Sequence, residues 1–294
     1  MKRILITGAD SFIGTSFERY VIEKFPQNYY IDTLDMKDPS WRNKDFFSYD
    51  VVFHVAGIAH SDSGKVNSDI VNMYYSVNRD LAIETANKAK SQGVKQFIFM
   101  SSAIVYGESS KIGKPKMITA DTPLTPANYY GDSKLQAEFG LEKIRDKDFK
   151  IAVLRPPIIY GRGCKGNYAS LVRFAKSMPL FPYIKNTRSM LYIDNLCELI
   201  RLLIDNNEDG TFFPQNTEYC NTSEVVKLIA EVYGKKLVLV KGFSWALKFL
   251  SLFTSVVNKG FGSLAYDMSL SEYKQPYRVV SDFKKTLKLT ENKS

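Results

Sequence analysis

The sequence predicts an α/β fold, a doubly wound and mostly parallel sheet that carries a smaller, discontinuous second part. Three observations predict it. Short β-branched and aromatic runs alternate with longer segments of helical periodicity. A glycine turn, Gly8 to Gly14, joins the first run to the first helical segment. After Leu154 the rhythm breaks into a stretch punctuated by Pro156, Pro157, Gly161, Gly163, Gly166, Pro179 and Pro182.

Taken in order, Arg3 to Thr7 reads as the first strand, and Phe12 to Phe25 as a helix with Ile13, Phe17, Tyr20, Val21 and Phe25 at helical spacing and Pro26 as its stop. Tyr29 to Leu34, Val51 to Ala56, Gln96 to Met100 and Ile151 to Leu154 read as further strands. The nearly continuous apolar runs from Val51 and from Phe97 suit strands covered on both faces. A helix runs from about Ile70 to Gln92 and is closed by Gly93. Another starts near Tyr129 and continues through Leu135, Ala137, Leu141 and Ile144, and two more lie near 194–205 and 222–233. Crossover helices between strands make the sheet parallel, and its ligands belong at the carboxyl ends of the strands. The expected division is a dinucleotide-binding part over 1–155 with a return segment at about 186–205, and a substrate-binding part over 156–185 and 206–294.

Lys plus Arg number 40 against 31 Asp plus Glu, a net charge of +9, so the surface attracts polyanions. The basic residues are dispersed, with only small clusters such as Lys111, Lys114, Lys116 and Lys284, Lys285, Lys288, so a diphosphate-bearing small molecule is preferred to nucleic acid. The three cysteines, Cys164, Cys197 and Cys220, form no Cys-x-x-Cys pair, which favours reduced thiols in a cytoplasmic protein. With two histidines, His54 read as a satisfied core-strand residue and His60 as a loop residue, no metal site is expected. The N-terminus lacks the apolar core of a signal peptide. The longest apolar tract, Phe243 to Val257, is too short to span a bilayer and contains Lys248. It reads as a buried or interface-packed helix in preference to a membrane-surface one.

The turn Gly8-Ala-Asp-Ser-Phe-Ile-Gly14 follows a strand and opens a helix. Gly8 makes the tight turn, Gly14 lets helix and sheet approach, and the helix N-terminus faces a pyrophosphate. Asp35 lies roughly 20 residues beyond Gly14, at the end of the second strand, where a ribose hydroxyl needs an acceptor. That spacing favours NAD, although Lys37 and Arg42 are candidates for the extra phosphate of NADP, so both cofactors stay open. Tyr130-Gly-Asp-Ser-Lys134 places a phenol and an ammonium on one helix face. A nearby cation is expected to pull the phenol toward working pH as an acid/base group for a carbinol proton. Ser101 and Ser102 stand just past an apolar strand, where a hydroxyl holds and polarises a substrate oxygen.

With these motifs in view the sequence resembles the extended short-chain dehydrogenase/reductases of the sugar-nucleotide epimerase/dehydratase type. The resemblance is carried by Thr7 to Gly14, Asp50 to Gly57, Asn78, the Ser102 segment, Tyr130 with Lys134, Leu154 to Gly161, and Arg188 to Leu196. It implies that Tyr130 is the general acid/base, that Lys134 also binds the nicotinamide ribose, and that Ser102 hydrogen-bonds the reacting sugar oxygen with Ala103 beside it. It also implies a cofactor groove lined by Gly8, Ser11, Phe12, Ile13, Gly14, Asp35, Ala56, Gly57, Asn78 and Pro157. Asn167 and Arg188 match positions that contact the nucleotide diphosphate. A homodimer through the 70–92 and 129–144 helices is a further implication.

Three departures stand out. Ser11 replaces the glycine usual in the middle of the loop, its hydroxyl being able to donate a hydrogen bond instead. Ile158 replaces an Asn that touches substrate, and the stretch from Asp35 to Asp50 leaves little room for a third strand. After Ser102, Ala103-Ile-Val105 lacks the acidic pair that dehydratases use, and no Cys/His pair for carbon acid chemistry falls near the site motifs. What remains is hydride transfer at the 4-position of a UDP-hexose or UDP-hexosamine. The segments Arg155 to Asn167 and Asn186 to Ser189 resemble capsule and O-antigen reductases, which tilts the reading slightly to a 4-ketoreductase in surface-polysaccharide precursor synthesis. A UDP-glucose/UDP-GlcNAc 4-epimerase with tightly bound NAD is the near alternative. A non-catalytic dinucleotide sensor is the reading from another class, and retention of Ser102, Tyr130 and Lys134 argues against it.

Overall fold

The computed structural model describes residues 1–59, 68–243, 245, 247, 249 and 255–291. His60 and much of the tract from Phe243 to Val257 lie outside them. The chain divides into two compact units, one of 1–107, 124–156 and 197–213, the other of 108–123, 157–196 and 214–294.

The first unit holds β1 (Lys2–Thr7), α1 (Phe12–Lys24), β2 (Tyr29–Leu34), β3 (Val51–His54), α2 (Ser68–Tyr75), α3 (Leu81–Ser91), β4 (Gln96–Met100), α4 (Tyr129–Glu142), β6 (Lys150–Leu154) and β10 (Gly210–Phe212). Six strands form one parallel sheet in the order β10-β6-β4-β3-β1-β2, with Thr7 opposite His54 and Met100 opposite Leu154. The chain starts one strand in from the edge, runs out to β2 and then crosses back past β1 to β3 and onward, which puts the switch point at the ends of β1 and β3. Every residue of β3 and β4 is buried, as continuous apolar runs require. No strand lies outside β2 among the described residues. The short stretch after Asp35 makes a 3-10 turn, Pro39–Asn43, in its place.

One face of the sheet is packed by Ala82, Ala86, Ala89, Ala137 and Leu141 against Val52, Phe97, Phe99, Ile151 and Val153. The alanines let α3 and α4 come close to the strands. Truncating Phe97 or Phe99 to Ala would cost about 3–5 kcal/mol. The helix expected from Ile70 to Gln92 is interrupted: α2 passes through a π-helical turn, Ser76–Asp80, before α3 resumes. Gly93, at φ 80°, supplies the left-handed residue that ends it. The return into the first unit comes at 197–213, later than the expected 186–205, because the three residues of β10 that pair with β6 are too few to show a strand pattern.

The second unit contains β5 (Met117–Ile118), β7 (Ile158–Tyr160), α5 (Asn167–Ser177), β8 (Leu180–Pro182), β9 (Met190–Tyr192), the start of α6 (Ile193–Asp205), α7 (Thr222–Val232), β11 (Val238–Val240), α8 (Ser255–Phe261), β12 (Ala265–Tyr266) and α9 (Phe283–Glu291). Its strands pair in parallel twos, β7 with β9, β8 with β11 and β5 with β12. It also takes in 108–123, which the sequence placed with the first part. Cys164, Cys197 and Cys220 form no disulfide among the described residues. No helix among the described residues is long and apolar enough to cross a membrane.

Candidate active site

The glycine turn lies directly against the end of β3. Gly8 has φ 106°, and a Cβ there would sit 2.8 Å from the backbone nitrogen of Ala56, so neither the conformation nor the space admits a side chain. Ser11 caps α1: its Oγ accepts the N–H of Gly14 at 3.1 Å. This is the outcome of the Ser-for-Gly exchange. The oxygen works as a cap, and only the hydroxyl proton remains to give to a phosphate. A Cβ on Gly14 would lie 2.6 Å from that same Oγ, so the two residues require each other. The N–H groups of Phe12 and Ile13, in the first turn of α1, precede any intrahelical acceptor and suit an anion.

Asp35 follows β2 and is exposed, with one carboxylate oxygen accepting the N–H of Lys37 at 3.0 Å. Arg42, a candidate for an NADP phosphate, is instead held by Glu84 through Nε and Nη2 at 2.5 and 2.6 Å. Asn78 is fully buried in the π-helical turn. Its Oδ1 accepts from Ile58 N–H at 2.9 Å, and its Nδ2 donates to the Ile58 carbonyl at 3.0 Å and to Ser133 Oγ at 3.1 Å. Asn78 therefore holds the loop after β3 in shape, and the π turn is what aims it there.

The two serines after β4 part company. Ser101 turns inward and its hydroxyl donates to Glu138. Ser102 caps the following 3-10 turn, Ala103–Tyr106, accepting from Ile104 N–H at 3.3 Å, and its hydroxyl acts to lower the pKa of the Tyr130 phenol. Tyr130 is brought to Ser102 by local geometry. Asn128 caps α4 by accepting the Gly131 N–H at 2.9 Å, and a Cβ on Gly131 would lie 3.0 Å from the Ile104 carbonyl oxygen. A side chain at 131 would push the helix off the turn that carries Ser102.

One turn further on, Lys134 is 4% exposed; its Nζ donates to the Met100 carbonyl at 2.9 Å and stands 4.7 Å over the Phe99 ring. A Cβ on Gly57 would come within 3.1 Å of that ammonium, so glycine keeps the space beside it clear. Burial lowers the Lys134 pKa to about 8, against the opposing charge of Glu138. Tyr130 corrects the sequence expectation. Burial raises its pKa above the ordinary tyrosine value, and the Ser102 hydroxyl only partly offsets this. The lysine is itself desolvated and bonded to a carbonyl, so in the protein alone it does not bring the phenol toward neutrality.

Beneath the site lies a cluster that sequence reasoning missed. Arg155 pairs with Glu138, at 2.5 Å from Nη2 to Oε2, and donates to the Tyr106 hydroxyl at 2.6 Å. The signal was a Glu four residues after Lys134 on the same helix and an Arg just past β6. His54 is fully buried; its Nδ1 lies 2.7 Å from Thr7 Oγ1, its Nε2 has no hydrogen-bond partner among the described residues, and burial lowers its pKa to about 3. The ring is thus neutral and half satisfied, where full satisfaction was expected.

In the second unit Arg188 is buried, and its guanidinium donates to the Lys259 and Gly260 carbonyls at 2.7 and 3.1 Å and to Ser109 Oγ at 2.7 Å. No carboxylate pairs with it among the described residues, so its charge is unbalanced and suits an anion. Asn167 is exposed at the start of α5, and Pro157 is half-buried just before β7.

The glycine turn, the free N–H groups of α1, the exposed carboxylate of Asp35 and the bare Gly57 beside Lys134 are a set of groups that fits a nicotinamide dinucleotide. With Ser102 and Tyr130 they define a protein of the dinucleotide-binding, hydride-transferring class. The model of the NAD dependent epimerase/dehydratase family matches residues 4–213, and the chain belongs to that family. It is 29% identical to a UDP-glucose 4-epimerase of Vibrio cholerae over 97% of this chain and 94% of that one. Among solved structures, a dTDP-4-dehydrorhamnose reductase of Clostridium acetobutylicum matches with a TM-score of 0.73 at 16% identity, covering 98% of both chains. The UDP-Glc/GlcNAc 4-epimerase of Campylobacter jejuni matches with a TM-score of 0.70 at 18% identity, covering 99% of this chain and 98% of that one.

Proposed function

We propose that the protein transfers hydride at C4 of a UDP-hexose or UDP-hexosamine, with 4-epimerisation on retained NAD as the net reaction. One observation carries the reading: the end of β4 and the first turns of α4 carry Ser102, Tyr130 and Lys134, with the Lys134 ammonium on the Met100 carbonyl at 2.9 Å and the Ser102 hydroxyl acting to lower the Tyr130 pKa, and Ala103, Ile104 and Val105 after Ser102 offer no acid or base for elimination. Tyr130 takes the proton of the C4 hydroxyl as the hydride leaves the same carbon, and returns it on reduction. Ser102 would hydrogen-bond that oxygen, and Lys134 would hold the nicotinamide ribose. The nicotinamide supplies the hydride acceptor and, when oxidised, a positive charge that lowers the pKa of a neighbouring phenol. Arg188, with Asn167, would take the diphosphate. Asp35, with Arg42 occupied by Glu84, favours NAD over NADP.

Epimerisation is placed first because the relative aligned along nearly the whole chain bears that name. Reduction of a UDP-4-keto-6-deoxy-hexosamine is the second reading, favoured by the Arg155 to Asn167 segment. Incubating purified protein with UDP-glucose or UDP-GlcNAc without added cofactor should give the 4-epimer, read by proton NMR. No product there, with reduction of the keto sugar only when NADH or NADPH is added, would replace the first reading with the second. Mass spectrometry of the cofactor carried through purification tests the NAD assignment.

We also propose a homodimer through the helices over 68–91 and 129–142, where Met73 and Phe139 are exposed while Tyr74 and Ala89 are buried. A monomer mass in light scattering across concentrations would dispose of it.

A further inference from the structure

The second unit carries an apolar surface that the chemistry above does not use. After β11 the chain continues through Lys241 into a helical stretch in which the Leu247 N–H donates to the Phe243 carbonyl at 3.1 Å. Leu247 faces inward, against Ile112, Ile184 and Val257. Trp245 and Phe249, four residues apart and so on one helix face, point the other way and are 73% and 63% exposed; Phe243 is 52% exposed. The strand leading there is apolar and open as well: Val238 pairs with Leu180, and both are exposed. A monomer seldom leaves aromatic side chains of this size in water without a use for them.

Charge identifies the partner. From 232 to 266 the sequence contains Lys235, Lys236, Lys241, Lys248 and Lys259 and no Asp or Glu. Lys235, Lys236 and Lys241 are exposed. Cores of protein interfaces are depleted of lysine. Tryptophan and phenylalanine beside lysines, with no acid among them, are the composition of a segment lying in the headgroup layer of an anionic bilayer.

We infer that the face formed by Phe243, Trp245 and Phe249, with the exposed Lys241 two residues before it in the chain, docks this protein on an anionic phospholipid surface, the aromatic rings entering the interface and the lysine meeting the headgroups. The docking is peripheral. It would hold a nucleotide-sugar enzyme beside reactions that consume its product at the membrane. It does not depend on which C4 reaction the other unit performs, and its test needs no turnover.

The protein supplies its own probe. It has two tryptophans, Trp41 at 2% exposure and Trp245 at 73%, so a change in emission on binding reports Trp245. Vesicles of phosphatidylethanolamine with phosphatidylglycerol should shift the emission to the blue and carry the protein on flotation, and salt should reverse both. Vesicles of phosphatidylcholine alone should do neither. Bromine-labelled acyl chains in the anionic vesicles should quench the unmodified protein. Trp245→Ser with Phe249→Ser should weaken flotation roughly tenfold or more with circular dichroism and melting unchanged, and Lys241→Gln should weaken it about fivefold. Absence of quenching and blue shift in the unmodified protein would overturn the inference. So would equal flotation of the double variant, or binding indifferent to lipid charge and salt. A blue shift produced by protein concentration alone, with a doubled mass in light scattering, would assign the face to a second copy of the chain instead.

Discussion

Two polar clusters stand on either side of adjacent serines at the end of β4, and they are built on opposite rules. On the Ser101 side Glu138, Arg155 and Tyr106 satisfy one another. The carboxylate takes a hydroxyl and a two-pronged guanidinium, and the guanidinium also reaches a phenol. On the Ser102 side Lys134 is buried and Tyr130 half-buried, and desolvation raises the tyrosine pKa and lowers that of the lysine. A closed network rigidifies, and a desolvated pair is poised to react. One helix, α4, thus carries the turn with Tyr130 and Lys134, proposed as the reactive one, and an anchoring turn at Glu138.

The largest effect should come from the reactive side. Tyr130→Phe removes the proton carrier and should lower kcat by about 10²- to 10⁴-fold with the melting temperature unchanged. Near-normal turnover would break the comparison at its centre. On the anchoring side Glu138→Gln leaves Arg155 buried beside a neutral amide. It should cost about 3–5 kcal/mol in denaturant unfolding while the folded fraction keeps more activity than Tyr130→Phe. The reverse pattern would mean that the roles are exchanged.

Lys134→Met tests the desolvated charge. The folded pKa of about 8 lies below the unfolded 10.5, so the native protein is penalised wherever the lysine is protonated in both states. The variant should be more stable than the parent by up to about 3 kcal/mol at pH 7, and the gain should shrink to nothing as pH rises from about 8 to 10.5. A gain independent of pH would show that the ammonium is not desolvated. The smallest effect is expected from Ser102→Ala. The hydroxyl lowers the pKa of Tyr130, so its loss should move the tyrosine limb of the pH–rate profile to higher pH and cost roughly tenfold in kcat.

Much of this was legible from residue order. β1, β2 and β4 fall within a residue of their expected bounds, and Gly93 ends α3 as a left-handed cap should. Ser102, Tyr130 and Lys134 announced themselves because a strand end and a four-residue helical spacing are local facts. Other features depend on partners far along the chain. Arg42 is a candidate for a phosphate by sequence but is paired with Glu84, and Arg188, matched by sequence to a diphosphate-contacting position, is held by Ser109 and the carbonyls of 259–260, which no local pattern shows. The π turn that aims Asn78 has no signature in hydrophobic periodicity, which passes through it unbroken.

By itself the sequence determined the parallel sheet, the glycine turn between β1 and α1 and the spacing that puts Tyr130 and Lys134 on one helix, because periodicity, backbone freedom at Gly8 and side-chain spacing act over a few residues. Only the tertiary structure decided which hydroxyl is reactive and which is structural, and in which direction Tyr130 and Lys134 titrate. Those properties are set by burial and by charges from other segments, and desolvation depends on where the chain folds, not on what precedes or follows a residue.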